Sequence, residues 1–153
     1  MRCKDKEIKD IEEIESILNR SNVCRIALSE NNSPYIVPVC FGYKDNCLYI
    51  HSAADGKKID IINKNNRVCF EFDAHGGLIW SENPCDWDLK YWSVIGYGKA
   101  FFINEPEEKI KALDIIAGHY SSEAFEYPTN SVDNVTVIKI EIENLTGKKS
   151  GYL

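Results

Sequence analysis

The spacing of apolar positions changes several times along the chain, and each change marks an element. Ile8, Ile11, Ile14, Ile17 and Leu18 recur at helical spacing opposite acids and asparagine, which predicts an amphipathic helix over 8–18. VCRIALSE (23–30) and PYIVPVCFGYK (34–44) are rich in β-forming residues, and the intervening ENNS reads as a hairpin turn. KDN (44–46) turns the chain into CLYIHSA (47–53), and a short second helix is expected from about 56 to 65. VCFEFD (68–73) alternates Val68, Phe70 and Phe72 with Cys69, Glu71 and Asp73, the pattern of a strand with one buried face. Residues 74–90 break every period and predict one long irregular loop, a kind of segment that often carries function. YWSVIGYGKAFFI (91–103) resumes the strand pattern, and Gly96 and Gly98 on one face predict a bulge, a bend or the close approach of a ligand. Pro106 suits the first turn of a helix reaching His119, with Ile110, Leu113, Ile116, Ala117 and Tyr120 as its inner stripe. VTVIKIEIEN (135–144) alternates Ile138, Ile140 and Ile142 with Lys139, Glu141 and Glu143. Six strands joined mostly by tight turns imply an antiparallel sheet closed into a small barrel, with helices capping or flanking it.

Composition narrows the class. The 153 residues suffice for one domain, 1–153, and 44% hydrophobic with 27% charged residues is an ordinary globular balance. No apolar run approaches the roughly 18 residues of a membrane span, and the early basic residues lead into no apolar segment of a secretory signal, so a cytoplasmic location is expected. A net charge of -6 with dispersed lysines and arginines argues against a nucleic-acid surface. The six cysteines, Cys3, Cys24, Cys40, Cys47, Cys69 and Cys85, include no pair at zinc-ribbon or CxxC spacing. Cys24, Cys40, Cys47 and Cys69 fall in strand-like segments and are expected to act as small reduced hydrophobes. His75 and His119 have no companion at metal-ligand spacing, so no metal site is expected.

One stretch carries candidate chemistry. In HSAADGKKIDII (51–62) a small-residue turn leads into a helix whose first turn begins with Lys57 and Lys58. A helix N-terminus exposes free N–H groups and about half a positive charge, so acids are the favoured neighbours there. Two readings stand. Either an anion, most naturally a phosphate, sits among the amides, the ammonium groups and the Ser52 hydroxyl, or both lysines are merely solvated and answer Asp55 and Asp60.

PYIVPVCFGY (34–43), LYIHSAADGKKIDII (48–62), YWSVIGYGKA (91–100) and the closing VTVIKIEIENLTGKKS (135–150) together resemble the FMN-binding split-barrel superfamily, the pyridoxamine 5'-phosphate oxidase-like group, and within it the nitroimidazole-resistance (Nim-like) branch. The resemblance implies a mainly β fold with flanking helices, a six-stranded antiparallel Greek-key split barrel. It also implies a homodimer with FMN in clefts along the subunit interface. Ser52, Lys57 and Lys58 match the positions that hold the FMN phosphate, with Lys57 where the oxidase branch has an arginine and its bidentate fork. Val37, Pro38 and Val39 match the strand beside the isoalloxazine ring, and Pro38, lacking an N–H, suits an edge position. Trp92, Ser93 and Val94 match a further strand near the flavin, although read without the resemblance they are alternating core residues.

His51 is the candidate catalytic residue: it stands where the Nim-like branch has histidine, and either donates a proton or hydrogen bond to a substrate on the flavin or braces the cleft. Trp80 and Trp87 in the irregular loop either cover the flavin or pack into the partner subunit, and Cys85 between them has no visible activating base. The resemblance implies an FMN-dependent oxidoreductase that passes electrons from a reduced nicotinamide or other donor to a small acceptor such as a nitroaromatic. No GxGxxG is present, so the nicotinamide would bind transiently in the same cleft. The alternative is a non-catalytic carrier or sensor holding flavin or haem. The tail NLTGKKSGYL lacks the Arg and Trp of the oxidases proper.

Overall fold

A computed structural model describes residues 4–152, so Cys3 lies outside the described residues. Eight strands form one antiparallel sheet: β1 (Glu7–Ile8), β2 (Cys24–Glu30), β3 (Ser33–Val39), β4 (Phe41–Lys44), β5 (Cys47–Ser52), β6 (Arg67–Ile79), β7 (Asp88–Ile103) and β8 (Thr136–Ser150). Four α-helices accompany them: α1 (Ile11–Arg20), α2 (Lys57–Lys64), α3 (Pro106–Tyr120) and α4 (Thr129–Asn134). The pairing order is β3-β2-β6-β7-β8-β5-β4, with β1 added to β8. β3 and β4 are the two ends of that path, yet only Cys40 separates them in the chain. The sheet must therefore curl until its ends meet at Cys40, which makes a barrel with one unpaired seam.

This is a split barrel, and it corrects the count of six strands to eight. PYIVPVCFGYK reads as one strand because β3 and β4 each keep period 2 on either side of Cys40, and the two-residue β1 is too short to show a period. Tyr120 stitches the seam: its hydroxyl accepts from the Phe41 amide at 3.1 Å and donates to the Asn22 carbonyl at 3.0 Å. Cys40 itself is exposed at the seam, unlike the expected packed thiol, whereas Cys24 is buried and Cys47 and Cys69 are half-buried.

The core fills the barrel with the inward residues of each strand, Ile26, Leu28, Leu48, Ile50, Phe70, Phe72, Val94, Ile138 and Ile140, closed by Ile14, Ile17 and Leu18 of α1 and Ile59, Ile61 and Ile62 of α2. Ile8 belongs to β1 and Ile11 is exposed, so the predicted first helix begins later than its apolar spacing suggested, at the Asp10 cap. The glycine expectation resolves in favour of an irregularity at Gly98 and close packing at both positions, not a ligand's approach. A Cβ on Gly96 would lie 2.2 Å from the Phe70 ring and one on Gly98 2.2 Å from the Glu141 carbonyl oxygen, so neither position is left open for a ligand. A register shift falls between Tyr97 and Gly98.

The predicted irregular loop 74–90 is mostly strand. β6 and β7 run on as a two-stranded arm past the row His75–Tyr91, with a bulge at Gly76, and only residues 80–87 connect them. The pattern there misleads because the bulge shifts the period and the ribbon has no core of its own to face. Among the described residues no helix is long and apolar enough to cross a membrane.

Candidate functional site

The N-terminus of α2 differs from every usual helix start. Its cap is Gly56, at φ 128, which offers no side-chain hydrogen bond, and Lys57 and Lys58 open the first turn. A Cβ built on Gly56 would meet nothing within 4 Å, so the space before the helix is open. The first amides of a helix have no intrahelical acceptor. The Lys57 ammonium stands 4.8 Å from the centre of the Tyr35 ring on β3, a cation–π contact with no acid in it. Lys58 is half-buried, has no ion-pair or hydrogen-bond partner among the described residues, and its pKa is held below the ordinary lysine range by that burial. Asp60 is the one acid of the first turn.

Ser52 ends β5 four residues before Gly56 and is half-buried, while His51 is exposed on the opposite side of the strand. The Lys57–Tyr35 contact brings this segment against β3, whose half-buried Val37 and Val39 and exposed Pro38 lie on the sheet's free edge as the proline implied. The contact thus brings Lys57, at the α2 entrance, to the β3 edge, with Ser52 shortly before the helix in the chain. Two ammonium groups, a hydroxyl, open amides and an uncapped dipole form a donor set suited to a phosphomonoester.

Trp92, Ser93 and Val94 do not join it. β7 is separated from β3 by β2 and β6, about 14 Å at ordinary strand spacing. Val94 is fully buried in the core, so its side chain faces no cleft. Trp92 already has two ring neighbours: the Tyr152 ring stacks on it at 3.8 Å and the Arg20 guanidinium lies 5.2 Å from its centre. Ser93 faces outward, opposite Asp73.

Between the two groups lies a charged network that alternation alone could not reveal, because its members come from two strands. Arg25 on β2 binds both Glu71, at 3.1 Å, and Asp73, and Asp73 also pairs with His75. Burial, followed by the nearby Asp73 charge, raises the Glu71 pKa. Tyr35 was likewise missed, for it reads as a plain β-former; only its contact with Lys57 gives it a place. His119 is structural, its Nε2 2.7 Å from the Ser21 carbonyl and its ring against Phe41. No group of three or more His, Cys, Asp or Glu side chains among the described residues is placed to hold a metal.

A groove of about 860 Å³ lies elsewhere, between α3 and the outer side of β5, β7 and β8, with Tyr49, Phe101 and Lys139 in its wall. Around the α2 entrance, Ala54 lines only a pocket of about 200 Å³.

Residues 10–149 match the family described as Pyridoxamine 5'-phosphate oxidase. The chain belongs to that family. A crystal structure of a candidate 5-nitroimidazole antibiotic resistance protein from Bacteroides thetaiotaomicron is 37% identical, with TM-score 0.83 over 93% of this chain and 85% of that one. This supports placement in the Nim-like branch. A flavocytochrome from Azotobacter vinelandii (16% identity, TM-score 0.88, 99% of this chain and 72% of that one) and an FAD and heme binding protein from Mycobacterium smegmatis (17%, 0.87, 96% and 74%) share the fold. No curated protein matches the chain.

Proposed function

We propose that this protein binds FMN with its phosphate at the entrance of α2 and its ring along the β3 edge, in a homodimer whose interface completes the cleft, and that it is an oxidoreductase. The observation that carries this is the pair Lys57 and Lys58: two cations with no acidic partner at an uncapped, glycine-led helix end. Placing them there costs free energy unless an anion answers them. Ser52, Lys57 and Lys58 hold the phosphate, and the backbone of Val37, Pro38 and Val39 runs beside the ring. The separation of β3 from β7 within one chain supports a cleft shared by two.

Bound FMN supplies the redox chemistry, and the protein supplies binding, orientation and electrostatics. His51, exposed one residue before the phosphate-holding Ser52, donates a proton or hydrogen bond to an acceptor in the cleft. The electron donor is a reduced nicotinamide or another small reductant, and the acceptor a small molecule of the nitroaromatic class. The 37% identical Bacteroides protein, named for nitroimidazole resistance, supports that acceptor class.

Titration of flavin fluorescence with apoprotein tests the cofactor, and reduced-nicotinamide consumption in the presence of a nitroimidazole tests the reaction. Saturable quenching with turnover is expected, and neither with FMN present contradicts the reading. The fold neighbours named for haem as well as flavin favour a second reading, a carrier or sensor. A Soret band in the purified protein, or bound flavin without turnover, identifies that case.

A further inference from the structure

Helix α3 lies tight against one end of the outer sheet face and stands off the other. Where it crosses β4, a Cβ built on Gly42 would lie 2.4 Å from the Ile115 carbonyl oxygen, and Ala112 and Ile116 of the helix are buried. Over β7 the same face stays open, with Phe101 42% exposed. The groove of about 860 Å³ is the wedge left between helix and sheet, and its size is that of a small-molecule site. Its floor is a row across three strands: Phe101 of β7 pairs with Lys139 of β8, and Lys139 with Tyr49 of β5. Ala112 and Ile115 of α3 form the wall.

The lining holds both signs of charge, and the pairing decides which is left over. Lys111 is bound to Glu108 at 2.6 Å, and Lys139 to Glu141, just outside the lining, at 3.1 Å. The Lys139 ammonium is thus held to one side, and its methylene stem completes the floor between the Phe101 and Tyr49 rings. Lys44 remains, against Asp45, Glu105 and Asp114, none of which has an ion pair among the described residues. Asp114 adjoins the Tyr127 hydroxyl, a neutral group whose pKa is raised by burial and then by this carboxylate. Carboxylates therefore outnumber the unpaired cation. Strands β5 and β7 both run antiparallel to β8 and Tyr49 lies abreast of Phe101, so Asp45, four residues before Tyr49, and Glu105, four after Phe101, mark opposite ends of the groove. Aromatic rings on the floor and free carboxylates at the ends favour a cation with a flat apolar body, and disfavour an anion of the same shape.

We propose that this groove is a second ligand site, which takes a small protonated aromatic amine with its ring laid over Phe101 and Tyr49 and its ammonium directed to Glu105 or Asp45. No residue of the lining belongs to the α2 entrance or to the β3 edge, so the site stands whether or not the flavin reading does.

Calorimetric titration with tryptamine and with indole-3-acetate, which share a ring and differ in the sign of their charge, tests the site. Tryptamine is expected to bind saturably, one per chain, and indole-3-acetate at least about tenfold more weakly. Phe101→Ala is expected to weaken tryptamine binding about fivefold or more, and Asp45→Asn with Glu105→Gln about threefold or more. Thermal melts by circular dichroism show that both variants are folded, since the replaced side chains are outside the barrel core. Saturating FMN is expected to leave tryptamine binding in place. Absence of saturable tryptamine binding at millimolar concentration, equal affinity for the two indoles, or an affinity that survives Phe101→Ala overturns the proposal. Displacement of tryptamine by FMN also overturns it, by placing the amine in the flavin cleft. A protein that binds no FMN contradicts the function proposed above, and the two indoles and the variants still decide the groove.

Discussion

The entrances of α1 and α2 set opposite chemistry on the same structural problem. At α1, Asp10 caps the helix by accepting from the Glu12 amide at 3.0 Å, and Glu12 and Glu13 add negative charge where the dipole favours it. α3 has no capping side chain but still places Glu107 and Glu108 in its first turn. At α2 the cap is a glycine, and two lysines open the turn. Helices α1 and α3 place acids ahead of any lysine in their first turns, while the short α4 has neither. The α2 entrance leaves its amides and cations open, which is the arrangement an incoming anion requires.

Breaking the α2 arrangement has the largest effect. Lys57→Ala with Lys58→Ala is expected to weaken FMN binding by about 2–4 kcal/mol, from two charge-assisted contacts partly offset by the remaining amides. Fluorescence titration reads the loss, and unchanged affinity places the phosphate elsewhere. The counterpart at α1, Asp10→Ala, costs about 1 kcal/mol of stability and leaves FMN affinity alone, as denaturant melts paired with the same titration will show. A smaller effect sharpens the contrast: Lys57→Glu replaces the cation that opens α2 with an acid, the charge that α1 and α3 place in their first turns. The apoprotein then gains about 0.3–1 kcal/mol in unfolding free energy while FMN binding weakens. A loss of apoprotein stability would contradict the claim that the lysine is held there at a cost.

The smallest effect is in pH. Lys58 has its pKa lowered by burial, and only its protonated form would pair with the phosphate in the proposed site. FMN affinity is therefore level at neutral pH and declines as pH rises through the depressed pKa, earlier than an ordinary lysine would allow. Binding raises that pKa and takes up protons in the same window, which calorimetry in buffers of different ionisation enthalpy measures.

Much of the fold was legible because barrel strands with one buried face must alternate. Ile138, Ile140 and Ile142 fall inside, as their period requires, and α3 begins at Pro106 as its fixed φ suggests. The seam at Cys40 was not legible, since a break of one residue leaves the period on each side intact. The arm was not legible either, because its apolar side faces away from its own core. At the site, the lysine pair was visible from charge against dipole alone. The Arg25, Glu71, Asp73 and His75 network was not, for it exists only once β2 and β6 are paired. Trp92 looked available for a cofactor until the Tyr152 ring, 60 positions further along, was found stacked on it.

The phosphate itself is the decisive variable. Titrating the protein with FMN and with riboflavin, which share a ring and differ in the phosphate, isolates what the α2 entrance contributes. The account predicts that FMN binds at least about thirtyfold more tightly to the wild type, equivalent to about 2 kcal/mol, and that the gap largely closes in the Lys57→Ala, Lys58→Ala variant. Equal affinity for the two ligands in the wild type, or a gap that survives both substitutions, would contradict it.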